Sequence, residues 1–293
     1  MEKIRKSYLK YICALLLFGL NGIVASFVNL PSGEVVFLRT FIGSLTLGII
    51  FFALKGKLSF FKHGKSVLFL AVSGAAMGIS WIFLFEAYSL IGVSFASLLY
   101  YCGPVIVMIF STLIFKDKIT KSAILGFGIV LAGVFLVNGG AFGGALNGRG
   151  VFCGVISAFM YSVMVICGKK AKGIKGLEMS MIQLILSFLT ITVFMGIKRG
   201  ININLTDLNL LPVLVLGILN TGIGCYLYFS SINQLPVRTV AVVGYAEPLS
   251  AVIFASMLLG ERLLPVQIMG AAFIIGGALY SELGAYTKKQ SRV

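Results

Sequence analysis

A shift of 144 residues lays the first half of this chain on its second half. Val93–Pro104 then falls on Val237–Pro248, and the alignment continues without a gap. Tyr101 meets Tyr245, Pro104 meets Pro248, Ile109-Phe110 meets Ile253-Phe254, and Asp117-Lys118 meets Glu261-Arg262. Gly126 meets Gly270 and Gly133 meets Gly277. Earlier in the chain Glu34 meets Glu178, Gly78 meets Gly222, and Phe85 meets Phe229. Each copy must therefore fold alike, and any difference between the copies carries information.

Composition sets the solvent in which the copies fold. The chain is 59% hydrophobic and 11% charged over 293 residues, with a mean hydropathy of +1.04. A soluble domain carries roughly 25% charged residues. The apolar surplus is too large for one water-soluble core, so lipid must solvate much of it. Ten apolar stretches approach the roughly 20 residues that a bilayer requires: 8–29, 34–54, 67–88, 93–115, 121–138, 150–168, 177–197, 210–231, 237–259 and 264–283. The first is followed by others and lacks a small-residue cleavage site, so it reads as a span and not as a removable signal. Asn138 to Gly148 is rich in glycine and reads as a linker. The expected organisation is a five-helix repeat over 1–138, a linker over 139–149 and a second repeat over 150–293.

Net charge is +15. In a soluble protein that would suggest nucleic acid. Here the basic residues sit in short loops without aromatic interleaving, which excludes nucleic-acid binding and points to anionic lipid headgroups at the inner face. With the N-terminus inside, the inner segments hold Lys3, Arg5, Lys6, Lys10, Lys55, Lys57, Lys62, Lys65, Lys116, Lys118, Lys121, Lys169, Lys170, Lys172, Lys175, Arg238, Lys288, Lys289 and Arg292. The outer segments hold only Arg149, Lys198, Arg199 and Arg262, and Arg39 lies within a helix. This bias places both termini in the cytoplasm. An odd number of helices per repeat then inverts the second copy, an arrangement that secondary transporters use for alternating access. The fold expected is an all-α integral membrane protein of ten transmembrane helices, two inverted five-helix repeats in a cytoplasmic membrane.

The run Pro248-Leu249-Ser250 through Gly260-Glu261-Arg262-Leu263, with Gly270 and Gly276-Gly277 beyond it, has a fainter first-half copy. That copy runs from Pro104 to Lys116-Asp117-Lys118, then Gly126 and Gly133; the second helix carries Phe37-Leu38-Arg39-Thr40-Phe41. The pattern resembles the drug/metabolite transporter superfamily in its EamA-type ten-helix branch. The resemblance covers nearly the whole chain. It implies a polytopic carrier of small organic solutes, commonly an exporter of amino acids or other metabolites. Four helices of each half would surround a central cavity, with helices five and ten as support.

Several residues stand out as candidates for the site. Glu247 lies about ten residues into the ninth stretch, near the bilayer midplane at ~1.5 Å per residue. An ionisable group there is costly and marks a functional site by default. It would bind a cationic or amino group, or a proton; the alternative is a carboxylate that ties neighbouring helices together. A carboxylate in low dielectric exchanges charge for a proton, so proton coupling is physically available. Pro248, and Pro104 in the first copy, would kink their helices and act as hinges. The counterpart of Glu247 is Gly103, and that of Arg39 is Gln183, so neither charge is duplicated. Arg39 and Glu86 reach similar depth on consecutive antiparallel helices. They would form an outer gate, or a permanent ion pair. Trp81, Tyr101, Tyr161, Tyr226, Tyr228 and Tyr245 lie deeper than interfacial aromatics do, and Asn21 and Asn220 are equally deep. Deep hydroxyls and amides need partners, which helix packing or a polar pocket would supply. The substrate-binding set expected is Glu247, Tyr245, Tyr101, Trp81, Asn21, Asn220, Tyr161 and Tyr228.

Other chemistry is missing from the sequence. The five cysteines lie in apolar runs without metal-ligand spacing, and no cofactor or metal is expected. The glycine-rich linker lacks the Gly-Lys-Ser/Thr of a phosphate loop. His63 sits in a Lys-rich loop, and no catalytic constellation is present, so the chain is not expected to be an enzyme. The reading is a secondary carrier that moves a small polar metabolite, an amino acid or related compound, outward through the central cavity. The alternatives are an importer of a choline-like organic cation, a channel, and an integral-membrane enzyme on lipid-linked substrates. Either a monomer or a homodimer is compatible with two repeats in one chain.

Overall fold

The computed structural model describes residues 2–59, 64–115, 121–138, 147–174, 176–198, 209–259 and 264–290. His63, most of the Gly-rich linker and the Asp117 and Glu261 signatures lie outside them. The described residues contain helices and no strands. Lipid has no hydrogen-bonding groups for an open backbone, so apolar segments of this length close their hydrogen bonds internally as helices. Among the described residues, seven helical stretches are long and apolar enough to cross a membrane: Ile4–Ser26, Gly33–Ala53, Gly64–Ile91, Gly148–Lys170, Gly176–Ile197, Leu210–Ile232 and Thr239–Leu258. Ile124–Leu136 and Pro265–Gly277 are shorter apolar helices. Large apolar side chains such as Ile49, Phe52, Val193, Ile197 and Met257 face outward, as lipid-facing residues do.

The chain runs as α1 (Glu2–Gly19), α2 (Asn21–Ser26), α3 (Ser32–Ala53), α4 (Gly64–Ile91), α5 (Val93–Tyr100), α6 (Gly103–Phe115) and α7 (Lys121–Asn138). It continues as α8 (Gly148–Lys170), α9 (Gly176–Lys198), α10 (Leu210–Leu214), a π segment (Val215–Ile223), α11 (Gly224–Ile232), α12 (Val237–Val243), α13 (Ala246–Leu259) and α14 (Pro265–Gln290). Asn147 caps α8 by accepting from the backbone N–H of Arg149 and Gly150. Lys169 caps α11 from across the bundle, donating to the carbonyls of Ile232 and Leu235.

Three of the apolar stretches are interrupted. The first breaks at Leu20, the fourth at Tyr101-Cys102 and the ninth at Gly244-Tyr245. The last two breaks correspond under the 144-residue offset. Pro104 and Pro248 stand in the first turns of α6 and α13, where an N–H would have no carbonyl partner within the helix. They therefore start new helices where the sequence suggested kinks in continuous ones.

Helix contacts also come in pairs that the offset exchanges. α4 lies against α8 and α9; its counterpart, the π segment with α11, lies against α1 and α3. α6 packs on α8, and α13 on α1. α3 packs on α9 and α7 on α14, each against its own counterpart. The α7–α14 seam is glycine-lined. A methyl group on Gly133 would lie 2.6 Å from the Gly270 carbonyl oxygen, and one on Gly277 would lie 2.6 Å from the Gly126 carbonyl oxygen. Small residues allow such backbone approach between membrane helices.

Candidate functional site

The elements meet around a cavity with about 50 Å³ of space for water centres, enough for a few waters at roughly 10–15 Å³ each. Its polar lining is Asn21, Ser80, Trp81, Tyr100, Tyr161, Tyr228 and Glu247; its apolar lining is Phe18, Met77, Met164, Cys225 and Phe229. Thus α1, α2, α4, α5, α8, α11 and α13 all contribute. Most of them begin or end near the middle of the bundle, because the helix breaks lie there.

Glu247 stands in the first turn of α13, where the helix dipole favours an anion. Its carboxylate accepts no hydrogen bond from the described residues. A carboxylate without a donor, facing a largely apolar cavity, is costly unless a ligand or a proton answers it. Arg39 carries the opposite charge and stands against two lining residues, Asn21 and Trp81, without lining the cavity itself. Arg39 is 4% exposed. Its guanidinium lies 4.8 Å from the Trp81 ring centroid, donates from Nε to Thr221 Oγ1 at 2.9 Å and donates from Nη2 to Asn21 Oδ1 at 3.2 Å. Asn220 Nδ2 donates to the same Asn21 oxygen at 3.1 Å and to the Leu17 carbonyl at 3.0 Å. With Oδ1 doubly occupied, the Asn21 Nδ2 donor remains open among the described residues. Thr221 and Asn220 both lie in the π segment, a local widening that is common at functional sites.

The aromatic wall is continuous. The Tyr161 and Tyr228 hydroxyls are 3.2 Å apart. Tyr100 meets Tyr161 edge-on at 5.3 Å between centroids, and Tyr228 packs on Tyr11 at 5.4 Å. Tyr11 in turn donates to the Val240 carbonyl at 2.7 Å.

Five of the eight residues expected to bind substrate line this cavity: Glu247, Trp81, Asn21, Tyr161 and Tyr228. Asn220 stands behind Asn21 as its hydrogen-bond partner. Tyr245 and Tyr101 are not among the lining residues; the Tyr245 hydroxyl donates to the Tyr101 carbonyl at 2.8 Å. Tyr226 faces Lys10 at 5.4 Å. Tyr100, Ser80 and Cys225 were not singled out from the sequence. Neighbouring Tyr101 was the signal for Tyr100, since a helix break decides which of two adjacent tyrosines faces inward.

The expected Arg39–Glu86 pair is not formed. Glu86 instead bonds Arg149 at 2.9 Å. The expectation assumed that consecutive helices pack along their length, whereas α4 lies chiefly against α8 and α9. That contact carries Glu86 to the start of α8 and leaves Arg39 against α2, the π segment and, within α4, Trp81. The Glu86–Arg149 pair is 30% and 66% exposed, and exposed pairs contribute only about 0–1 kcal/mol. Arg149→Gln should therefore leave the melting temperature within about 2 °C of wild type, since 1 kcal/mol corresponds to about 2–4 °C in a chain somewhat smaller than this one. A larger loss in a thermal-unfolding assay would show that the pair does more than close a surface contact.

The arrangement defines a multi-pass helical membrane protein with a central, aromatic cavity that holds one carboxylate. The chain belongs to the EamA-like transporter family: that family's profile matches residues 5–139 and again residues 148–282. It is 26% identical over 273 residues to the uncharacterized transporter YxxF of Bacillus subtilis (strain 168), covering 92% of this chain and 87% of that one. It is 30% identical over 201 residues to the uncharacterized transporter PM1281 of Pasteurella multocida (strain Pm70), covering 65% and 63%. A solved crystal structure shares the fold with a TM-score of 0.81 at 19% identity, over 96% of this chain and 98% of that one. The family and these relatives are transporters and not enzymes.

Proposed function

We propose that this chain is a secondary transporter that moves an amino acid or related zwitterionic metabolite, in the export direction, by alternating access. Two inverted five-helix repeats form ten membrane helices with both termini cytoplasmic, and they rock about the central cavity. The twofold match of the family profile, the paired helix contacts and the charge bias of the loops support the repeat and its orientation. The observation that carries the reading is the Glu247 carboxylate, which lines the cavity without a hydrogen bond from the described residues, while the Arg39 guanidinium stands against Asn21 and Trp81 of the same lining. A substrate ammonium group satisfies Glu247. A substrate carboxylate satisfies Arg39 and the open Asn21 amide, since a guanidinium suits a carboxylate. When the ammonium leaves, a proton takes its place on Glu247, which couples transport to protons.

A second reading has its own support. Trp81, Tyr100, Tyr161 and Tyr228 beside one carboxylate would also receive an organic cation such as a quaternary ammonium compound, taken up as an importer would. The positive charge of Arg39 opposes that reading and favours a zwitterion.

A ligand that binds the folded state raises the melting temperature by mass action. Detergent-purified protein is screened against amino acids, polyamines, quaternary ammonium compounds and nucleosides. The expected result is stabilisation by amino acids, by about 3 kcal/mol at a hundredfold excess over Kd. Stabilisation by quaternary ammonium compounds alone would select the second reading.

A further inference from the structure

Tyr101 and Tyr245 occupy equivalent positions in the two repeats, three residues before Pro104 and Pro248. They also touch each other. The Tyr245 hydroxyl donates to the Tyr101 carbonyl at 2.8 Å. A bond between a residue and its own repeat counterpart sits where the two halves exchange, and α12 packs against α6 at this place.

The bond is one-sided. The Tyr101 hydroxyl has no hydrogen bond among the described residues. The backbone is one-sided in the same sense. Leu249 N–H donates to the Tyr245 carbonyl at 3.4 Å, whereas Val105, its counterpart, donates to Cys102 at 3.0 Å. Pro104 has no N–H to offer the carbonyls three and four residues back, Tyr101 and Tyr100. The Tyr101 carbonyl is therefore left open, and the Tyr245 hydroxyl fills it. Every group needed for the reverse bond is present: the Tyr101 hydroxyl, the Tyr245 carbonyl and Pro248, which likewise donates nothing.

We infer that Tyr101 and Tyr245 form a two-position latch, in which the bond seen here is exchanged for Tyr101 hydroxyl to Tyr245 carbonyl when the repeats swap conformations. This inference rests on the alternating-access reading above. In an inverted-repeat carrier the second conformation is reached when each repeat adopts the other's shape, so an asymmetric contact becomes its counterpart. The tyrosines are then positioning residues that set the balance of the two states, and not substrate ligands. Their location off the cavity lining agrees with that role.

The latch predicts opposite effects from two matched changes. Nitroxide labels on ketone-bearing residues replace the exposed Lys55 and Gln234 at one end and the exposed Ser89 and Asn209 at the other. Native cysteines stay in place, and distances are measured by pulsed electron resonance with and without an amino-acid mixture. Wild type should give two distance sets, one matching this structure. Tyr245→Phe should reduce the weight of that set, relative to the other, about threefold to tenfold, the worth of one hydrogen bond. Tyr101→Phe should raise it by a similar factor, and the double variant should return close to wild type. Two distance sets that move in the same direction in both variants, or in neither, would overturn the latch and leave alternating access standing. A single set under all conditions would overturn both. Should Tyr245→Phe fail to fold, Tyr101→Phe decides alone: enrichment of this state supports the latch, while depletion or no change overturns it.

Discussion

Glu247→Gln lowers transport into proteoliposomes about 100-fold or more, while the purified variant melts no lower than wild type. The first half of this expectation follows from charge. A buried group paired with a ligand charge is worth about 3–5 kcal/mol when one partner is removed, and each 1.4 kcal/mol is tenfold. The second half follows from geometry. The Glu247 side chain makes no hydrogen bond within the described protein, so the amide removes none and relieves a desolvated carboxylate, while Arg39 keeps its bonds to Thr221 and Asn21. Initial rates and melting curves on the same preparations check both halves. A variant that keeps more than a tenth of wild-type transport would reduce Glu247 to a structural group. One that loses transport because it no longer folds would do the same.

Gly277→Val is expected to destabilise the protein by about 1–3 kcal/mol, the usual cost of forcing volume into a packed seam. An added Cβ would meet the Gly126 carbonyl oxygen at 2.6 Å and the Val130 backbone nitrogen at 2.9 Å. Backbone atoms have no rotamer by which to move aside, so α7 and α14 must separate. The neighbouring residue provides the control. A Cβ on Gly276 meets nothing within 4 Å, and Gly276→Ala should be neutral or stabilising, as alanine is the better helix former by up to about 1 kcal/mol. Gly133→Val should repeat the loss, since the offset makes it the same contact seen from the other helix. Denaturant-induced unfolding in mild detergent measures all three; equal stability of Gly277→Val and Gly276→Ala would show that the seam is not close-packed.

The helical stretches were legible because lipid requires long apolar runs. Glu247, Trp81, Asn21, Tyr161 and Tyr228 were legible because polar groups are costly at depth and must converge. Phe18, Met77, Met164 and Phe229 were not. A membrane helix is apolar on its lipid face and on its cavity face alike, so no periodicity separates the two. The pairing of Arg39 with Glu86 failed for a topological reason. It assumed that neighbours in sequence are neighbours in space, but α4 spends its length against the other repeat. Pro104 and Pro248 marked the right places with the wrong shape. A proline within an apolar run signals an interruption, and only the surrounding packing decides between a bend and a fresh start.

Arg39 belongs to one repeat and Glu247 to the other, and their counterparts Gln183 and Gly103 carry no charge. Two identical halves related by a twofold axis can hold two arginines or two glutamates at these positions, but never one of each. A single arginine with a single glutamate requires halves that differ in sequence, as these do at both positions. In the proposed carrier, that difference would give the site a polarity, and a solute with one positive and one negative end would enter it in a single orientation.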